Sequence, residues 1–269
     1  GISLDGGGFF YPNPLESMGQ HQRRPWFGCA CCPSNVCRFI PSLPGYIYAV
    51  KDNDVYVNLF MANDVNLKVN GKKVSFKRLK YNVKVNGEDV TSELNNGYFT
   101  IDRKWKKGDK VSVHFDMEPR TVKAHGKVEA DRGRVAVERG PVVYCAEWPD
   151  NNFDVLSVLM NRNPKFEVEK ASMTIENTGV TVTHPFQKIK TSVQTLKYDE
   201  KGRLTAQDQT LNMIPYYAWA HRGTGNMAVW LPNEVSSTRP VTAATLASKS
   251  KIDASHKATS LSSITDGLV

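Results

Sequence analysis

Residues 27–37 read Phe27-Gly28-Cys29-Ala30-Cys31-Cys32-Pro33-Ser34-Asn35-Val36-Cys37 and hold four of the five cysteines of the 269-residue chain. Such a density of thiols is typical of metal binding or of thiol chemistry. Proline suits the first position of a helix, and serine and asparagine are common near helix starts, so we predict a short helix over residues 33–40. The positive end of a helix favours thiolate in the residues just before it. Cys31 and Cys32 are therefore predicted to bind a metal or to attack a substrate.

The spacing of the cysteines leaves several roles open. Zinc takes about four ligands, and a site made of four cysteines usually comes as two separated pairs, so one or two ligands are expected from elsewhere in the protein. Disulfides are an alternative, although Cys31 and Cys32 cannot pair without strain and the total of five cysteines is odd. Buried free thiols are a second alternative. Cys145 lies alone in an apolar strand and is predicted to be in the core.

The composition predicts a folded protein with a sizeable core. Apolar residues make up 40% of the chain, and there is no run of about 18 apolar residues of the kind that spans a membrane. The net charge of +8 comes from 35 basic and 27 acidic residues, and the basic residues are spread along strand-like segments. This distribution predicts solvated strand faces rather than a nucleic-acid-binding surface.

The pattern of residues changes twice along the chain. Residues 1–44 contain an extended aromatic segment and the cysteine-rich stretch. Residues 45–118 show short alternating strands with turn signals such as Asn70-Gly71 and Asn86-Gly87, which are typical of an antiparallel sandwich. A second strand-rich block covers residues 119–232. The predicted fold class is therefore mainly β, with two antiparallel β-sandwich domains.

The tail has a different composition, rich in Ser, Thr, Ala and Lys. Residues 233–245 are predicted to be a linker. The sequences Ala247-Ser248-Lys249 and Ile264-Thr265-Asp266-Gly267 resemble the opening of a discoidin-like sugar-binding module. We therefore expect residues 233–269 to contain a linker and the start of such a module.

Several groups of residues together form a recognisable pattern. They are Tyr11-Pro12-Asn13-Pro14-Leu15-Glu16, Trp26-Phe27-Gly28-Cys29-Ala30-Cys31-Cys32-Pro33-Ser34-Asn35, Gly45-Tyr46-Ile47-Tyr48, Val55-Tyr56-Val57-Asn58-Leu59-Phe60, Arg139-Gly140-Pro141-Val142-Val143-Tyr144, Ile214-Pro215-Tyr216-Tyr217-Ala218-Trp219-Ala220 and Trp230-Leu231-Pro232. Over residues 1–232 this pattern resembles the β-L-arabinofuranosidases of glycoside hydrolase family 127. Related bacterial arabinofuranosidase families share its Cys-Cys-Pro core.

The resemblance implies a fold and a set of site residues. Family members have a catalytic (α/α)6 barrel followed by β-sandwich domains, so residues 1–44 correspond to the end of the barrel domain and the chain to a C-terminal portion. In the family the first cysteine of the pair is the nucleophile and both cysteines bind zinc. These roles carry over to Cys31 and Cys32. A tyrosine of the aromatic segment contacts the sugar in the family, and Tyr11 is the matching position.

The resemblance also implies that part of the site lies outside this chain. The remaining zinc ligands of the family, a Glu and a Cys two residues apart, and its acid/base Glu lie further upstream. The chain contains no Glu-X-Cys sequence. Glu16 belongs to the Pro-Leu-Glu motif, but its proximity to the cysteines alone does not make it the acid/base. Without the barrel against which residues 1–44 pack, the helix from Pro33 is expected to fray and to expose Phe9, Phe10, Trp26 and Phe27.

Two functions are consistent with these residues. The first is a retaining glycosidase that releases β-L-arabinofuranose from plant-type glycans or glycoproteins, with zinc as cofactor and an arabinose-containing oligosaccharide as substrate. The second is a non-catalytic glycan-binding or assembly module in which the cysteines hold a structural zinc. Cysteine usage leaves a bacterial periplasm and a cytoplasm both open, and the assembly, including a homodimer, is likewise open.

Overall fold

The computed structural model of the chain describes residues 1–52, 54–59, 73–77, 81–92, 94–95, 98–115, 117–177 and 180–242. Residue contacts divide it into two units. The middle unit is residues 28–118, and the C-terminal unit joins residues 1–27 to the chain from residue 119 onward. The predicted Asn70-Gly71 turn and the discoidin-like segment lie outside the described residues.

Strands make up most of the regular structure, which confirms the prediction of a mainly β protein. Before residue 119, the described ranges contain β1 (Glu16–Met18), α1 (Cys31–Phe39), α2 (Pro44–Ile47), β2 (Tyr48–Lys51), β3 (Asp54–Val57), β4 (Lys73–Lys77), β5 (Tyr81–Val85), β6 (Glu88–Val90), β7 (Leu94–Asn95), β8 (Tyr98–Asp102) and β9 (Val111–Phe115). No helix in these or the later described ranges is long and apolar enough to cross a membrane.

The rest of the described chain is built almost entirely from strands and short 3-10 turns. The strands are β10 (Pro119–Val122), β11 (Arg134–Arg139), β12 (Val142–Glu147), β13 (Val158–Met160), β14 (Glu167–Asn177), β15 (Val180–Tyr198), β16 (Leu204–Pro215), β17 (Asn226–Ala228) and β18 (Leu231–Pro232).

Two sheets of the middle unit share one small core. One sheet has the order β2-β3-β4-β8-β7 and the other has the order β6-β5-β9. Val83 and Val85 of β5 pack with Phe99 and Ile101 of β8 in a single buried cluster. Strands β3 and β4 run parallel, so the prediction of an entirely antiparallel arrangement was wrong at this pair. The chain between them, residues 58–72, is long enough for the crossover that parallel strands need.

The Asn86-Gly87 turn is confirmed. It joins β5 to β6, whose residues Val85 and Glu88 face each other in the antiparallel register. Asn86 has a φ of 55° and Gly87 a φ of 89°. Positive φ at both central residues is the geometry of the two-residue hairpin turn that Asn-Gly favours.

The large sheet of the C-terminal unit buries side chains on both of its faces. In β12, Tyr144 and Ala146 belong to one buried cluster, whereas Cys145 between them belongs to a second. Cys145 has no solvent exposure, which confirms its predicted place in the core. A strand that is covered on both faces reads as a continuous apolar run, as this one does.

Residues 1–27 help to cover the second face of that sheet. Phe10 belongs to the second cluster and is 7% exposed, so the expectation that it would be exposed was wrong. Its ring stacks on Trp219 with 5.0 Å between centroids and 10° between planes. Strand β1 also pairs with β17 and places Glu16 opposite Ala228. The segment therefore has a partner within this chain that the sequence analysis did not identify.

The start of the predicted linker also packs against the C-terminal unit. The Val241 amide donates to the Leu196 carbonyl at 3.0 Å, and the Tyr198 amide donates to the Val241 carbonyl at 3.0 Å. Arg239 lies 2.6 Å from a carboxylate oxygen of Glu16. The described residues after 232 thus belong to the fold of this unit.

Candidate functional site

Helix α1 begins at Cys31, two residues earlier than predicted, and ends at Phe39. The Ser34 amide donates the first helical hydrogen bond to the Ala30 carbonyl at 3.1 Å. Pro33 is accommodated in the first turn because N–H groups there have no carbonyl partner within the helix. Both adjacent cysteines consequently lie in the first turn itself, at the positive end of the helix dipole.

The sulfur atoms of the cysteine pair are close together and accessible. The Sγ atoms of Cys31 and Cys32 lie 3.8 Å apart, which is much longer than a disulfide bond of about 2.05 Å. Both residues are exposed. The first turn contains no acidic residue. The pair is therefore two thiols that no disulfide joins, at the N-terminus of α1.

Three apolar side chains are exposed in the second half of α1 and just after it. Val36 is 46% exposed, Phe39 53% and Ile40 49%. The helix buries none of its own residues. In an enzyme, apolar surface next to a nucleophile shields reactive groups from water once it is covered.

The spacing of the cysteine pair bears on whether it could hold zinc. At a Zn–S distance of about 2.3 Å, two sulfurs of a tetrahedral site lie about 3.8 Å apart. The separation of the Cys31 and Cys32 sulfurs matches this value. Among the described residues, no group of three or more His, Cys, Asp or Glu side chains is placed to hold a metal ion. The pair fits two corners of a zinc site, and other residues would have to supply the rest.

Tyr11 belongs to the C-terminal unit and is 39% exposed. Its ring makes an edge-to-face contact with Phe27 at 5.1 Å between centroids. Phe27 in turn packs beside Trp26 at 6.3 Å. A tyrosine combines an apolar ring with a polar hydroxyl.

Glu16 serves as an anchor of strand β1. One carboxylate oxygen accepts a bond from Arg239 at 2.6 Å, and the other accepts a bond from Arg134 at 3.3 Å. Arg134 also donates to the Ser237 carbonyl at 3.3 Å. Because both oxygens of Glu16 contact arginine, the geometry assigns it a structural role and gives no support to an acid/base role.

A buried carboxylate that the sequence analysis missed fixes the loop after β16. Glu147 is 1% exposed, accepts a bond from the Ala220 amide at 2.8 Å and forms an ion pair with Arg222 at 2.6 Å. Arg222 also binds Asp150. Burial raises the pKa of the Glu147 carboxyl, and its bonds to Arg222 and Ala220 partly offset that effect. The sequence signal for this residue was a glutamate at the end of an apolar strand, because a charge that is buried there needs a partner.

The same loop holds residues 1–27. The Tyr216 hydroxyl donates to the Pro14 carbonyl at 2.7 Å. Arg23 donates to the Trp219 carbonyl at 3.0 Å, and the Leu4 amide donates to Nε2 of His221 at 3.0 Å. Trp219 of this loop is 3% exposed and lies in the core.

Comparison with known proteins shows that three stretches of the chain match domains of one family. Residues 1–45 match the GH127 catalytic domain of β-L-arabinofuranosidases, residues 78–117 match the middle domain, and residues 119–232 match the C-terminal domain. A curated relative, the non-reducing end β-L-arabinofuranosidase of Bifidobacterium longum subsp. longum, is 27% identical over 86% of this chain and 43% of its own length.

Solved structures give the same result. The GH127 β-arabinofuranosidase BT3674 is 49% identical over 89% of this chain, with a TM-score of 0.78. The β-L-arabinofuranosidase Ara127N-Se from Geobacillus stearothermophilus T6 is 28% identical over 86% of the chain, with a TM-score of 0.72. The chain spans 44% of the length of each. With three successive domain matches and these structural neighbours, the chain belongs to glycoside hydrolase family 127.

Proposed function

We propose that this chain carries the nucleophile of a retaining β-L-arabinofuranosidase and is the C-terminal portion of that enzyme. The main support is the pair of exposed thiols 3.8 Å apart in the first turn of α1. Relatives with this activity in their names match most of the chain, and the chain spans less than half of their length. In this proposal residues 1–44 complete an (α/α)6 barrel domain, and two β-sandwich domains follow.

Cys31 is the proposed nucleophile. Its thiolate attacks the anomeric carbon of a β-L-arabinofuranoside, forming a C–S bond as the bond to the leaving oxygen breaks. The leaving oxygen takes a proton from a carboxylic acid outside this chain. Water then attacks the same carbon, the carboxylate removes its proton, and the C–S bond breaks to restore the thiolate. Two inversions give retained configuration, with sulfur in the place of the usual carboxylate.

Cys31 and Cys32 would hold zinc together with ligands from outside this chain. When bound, zinc would keep the thiol of the nucleophile deprotonated near neutral pH. The pair lies at the N-terminus of α1, whose first turn contains no acidic residue. Cys32 would orient its neighbour by sharing the ion.

Tyr11 is the proposed sugar contact. It is 39% exposed, and its ring packs edge-to-face on the Phe27 ring. The proposed substrate is an arabinose-containing oligosaccharide from a plant-type glycan or glycoprotein. Glu16 has no part in the chemistry because Arg134 and Arg239 occupy its carboxylate.

A Cys31→Ser variant of the full-length protein that contains this chain tests the nucleophile. Its turnover of an aryl β-L-arabinofuranoside should fall to nearly zero, because a serine hydroxyl remains protonated and binds zinc poorly. The matched control is Cys37→Ser, which makes the same change in the same helix and should keep most of the activity. A Cys31→Ser turnover within about tenfold of the unmutated enzyme would rule out this role.

Covalent labelling separates the enzyme from the alternative, a glycan-binding module with a structural zinc. A haloacetamide derivative of arabinofuranose should modify Cys31, as shown by mass spectrometry of peptides. Labelling at Cys29 or Cys37 would reassign the nucleophile. A full-length protein that binds the glycan without hydrolysing it would favour the module.

A further inference from the structure

Tyr11 lies between two points at which residues 1–27 are fixed to the C-terminal unit. On one side is Phe10, which stacks on the buried Trp219 ring with 10° between planes. On the other side is Pro14, whose carbonyl accepts the hydrogen bond from the Tyr216 hydroxyl at 2.7 Å. The intervening chain is short, so these two contacts limit where Tyr11 lies.

The two anchoring residues support each other. Tyr216 and Trp219 are stacked with 6.3 Å between centroids and 19° between planes. Arg23 lies 4.7 Å from the centroid of the Phe10 ring and donates to the Trp219 carbonyl. The stack therefore joins residues from both parts of the unit, with Trp219 between Phe10 and Tyr216.

The loop that carries Tyr216 is itself held rigidly. Ala220 has a φ of 59°, a left-handed conformation that is uncommon for a residue with a side chain. The bond from its amide to the buried Glu147 carboxylate holds it there. Burial raises the pKa of Tyr216 to about 12, and the nearby Cys145 adds to this increase. The hydroxyl therefore keeps the proton that it donates to the Pro14 carbonyl.

From this geometry we infer that Tyr216 is a positioning residue that places Tyr11 for sugar binding. The inference rests on the proposed function, which assigns the sugar contact to Tyr11. It gives the Ile214–Ala220 motif a role: this loop of the C-terminal unit fixes a segment that matches the catalytic domain of the family. Tyr216 then contributes to substrate affinity without touching the sugar.

The Tyr216→Phe variant removes only the hydroxyl that binds Pro14. In the 269-residue chain, hydrogen–deuterium exchange of peptides covering residues 9–18 should become about three- to tenfold faster, the equivalent of one lost hydrogen bond. Tyr198→Phe is the matched control, since it makes the same change at a 46% exposed tyrosine on β15. Exchange at residues 9–18 that is equal in the two variants would overturn the anchoring role.

In the full-length protein, Tyr216→Phe should raise KM for the aryl arabinofuranoside about fivefold and leave kcat nearly unchanged, because a displaced binding contact is lost equally from substrate and transition state. Tyr198→Phe should leave both constants unchanged. Faster exchange with an unchanged KM would refute the positioning of the sugar contact. An inactive unmutated protein would instead refute the proposed function, and the exchange measurement would still decide the anchoring.

Discussion

The imidazole of His221 joins residues 1–27 to the rest of the C-terminal unit. Its Nε2 accepts the Leu4 amide hydrogen at 3.0 Å, while Nδ1 faces the Ala218 carbonyl at 2.8 Å. A ring that accepts at Nε2 and donates at Nδ1 is neutral. Burial lowers the pKa of His221 and the charge of Arg23 lowers it further, whereas the Ala218 carbonyl and Asp5 act in the opposite direction. Protonation would turn the Nε2 acceptor into a donor.

This histidine should make the C-terminal unit less stable at mildly acidic pH. Because its pKa is lower in the folded state, the unfolded chain binds more protons, and the contribution of His221 is fully present above about pH 6.5 and lost as the pH falls through the folded value. We expect His221→Gln to show a smaller loss of stability between pH 7 and 5 than the unmutated chain, measured by urea unfolding.

The comparison of variants isolates His221 from other titrating groups. Burial raises the pKa of Glu147, so that carboxyl favours the folded state at lower pH and opposes the effect of the histidine. A hydrogen bond from Lys190 lowers the pKa of Glu169, and hydrogen bonds from Arg203 lower the pKa of Asp199. These two carboxylates affect stability below the range of pH 5 to 7. His125→Gln, at an exposed turn of the same unit, is the control. Identical pH profiles for the two variants would argue against the prediction.

The Asn86-Gly87 turn is expected to contribute to the free energy of unfolding of the middle unit. Gly87 has a φ of 89°, where a residue with a Cβ is strained. Gly87→Ala should lower the free energy of unfolding of this unit by about 1 kcal/mol, measured by denaturant titration. Gly45→Ala is the matched control because Gly45 lies in α2 with open space around it. Equal effects of the two changes would contradict the role of the turn.

The elements also show which features were predictable from sequence. The local sequence was sufficient to predict the Asn86-Gly87 turn, because the two turn residues are themselves the ones that favour positive φ. It was also sufficient to place Cys145 in the core, because Cys145 lies in an apolar run. The burial of Phe10 was not predictable, because its partner Trp219 lies far away in the chain and an aromatic residue has no preferred partner in sequence. The parallel pairing of β3 and β4 depends on a crossover, which leaves no periodic signal.

Some features of the candidate site were likewise predictable from sequence, and others were not. The cysteine pair was recognisable from its density, and only the start of α1 differed, because proline is accepted anywhere in the first turn. The contacts of Tyr216, Trp219 and His221 with residues 1–27 join distant parts of the sequence. They depend on how β1 pairs with β17, which the sequence pattern does not specify.

At the scale of the whole molecule, the 269-residue chain made alone should hydrolyse no arabinofuranoside and bind zinc weakly. Cys31 and Cys32 are the two proposed ligands, whereas zinc takes about four, and the described residues place no third ligand beside them. Zinc content after dialysis and an aryl arabinofuranoside assay check this. One tightly held zinc per chain with measurable turnover would refute both the missing ligands and the placement of the acid/base outside this chain.

The C-terminal unit is discontinuous in sequence, and this affects its synthesis on the ribosome. Strand β1 pairs with β17, so it has no complete partner strand until residue 228 has emerged from the ribosome. At about 5 to 20 residues per second, that interval is roughly 10 to 40 s. The middle unit emerges during this time, while Phe10 still lacks the ring on which it stacks. Nascent chains should therefore carry an exposed aromatic segment that chaperones bind, until translation of the last strands closes the unit.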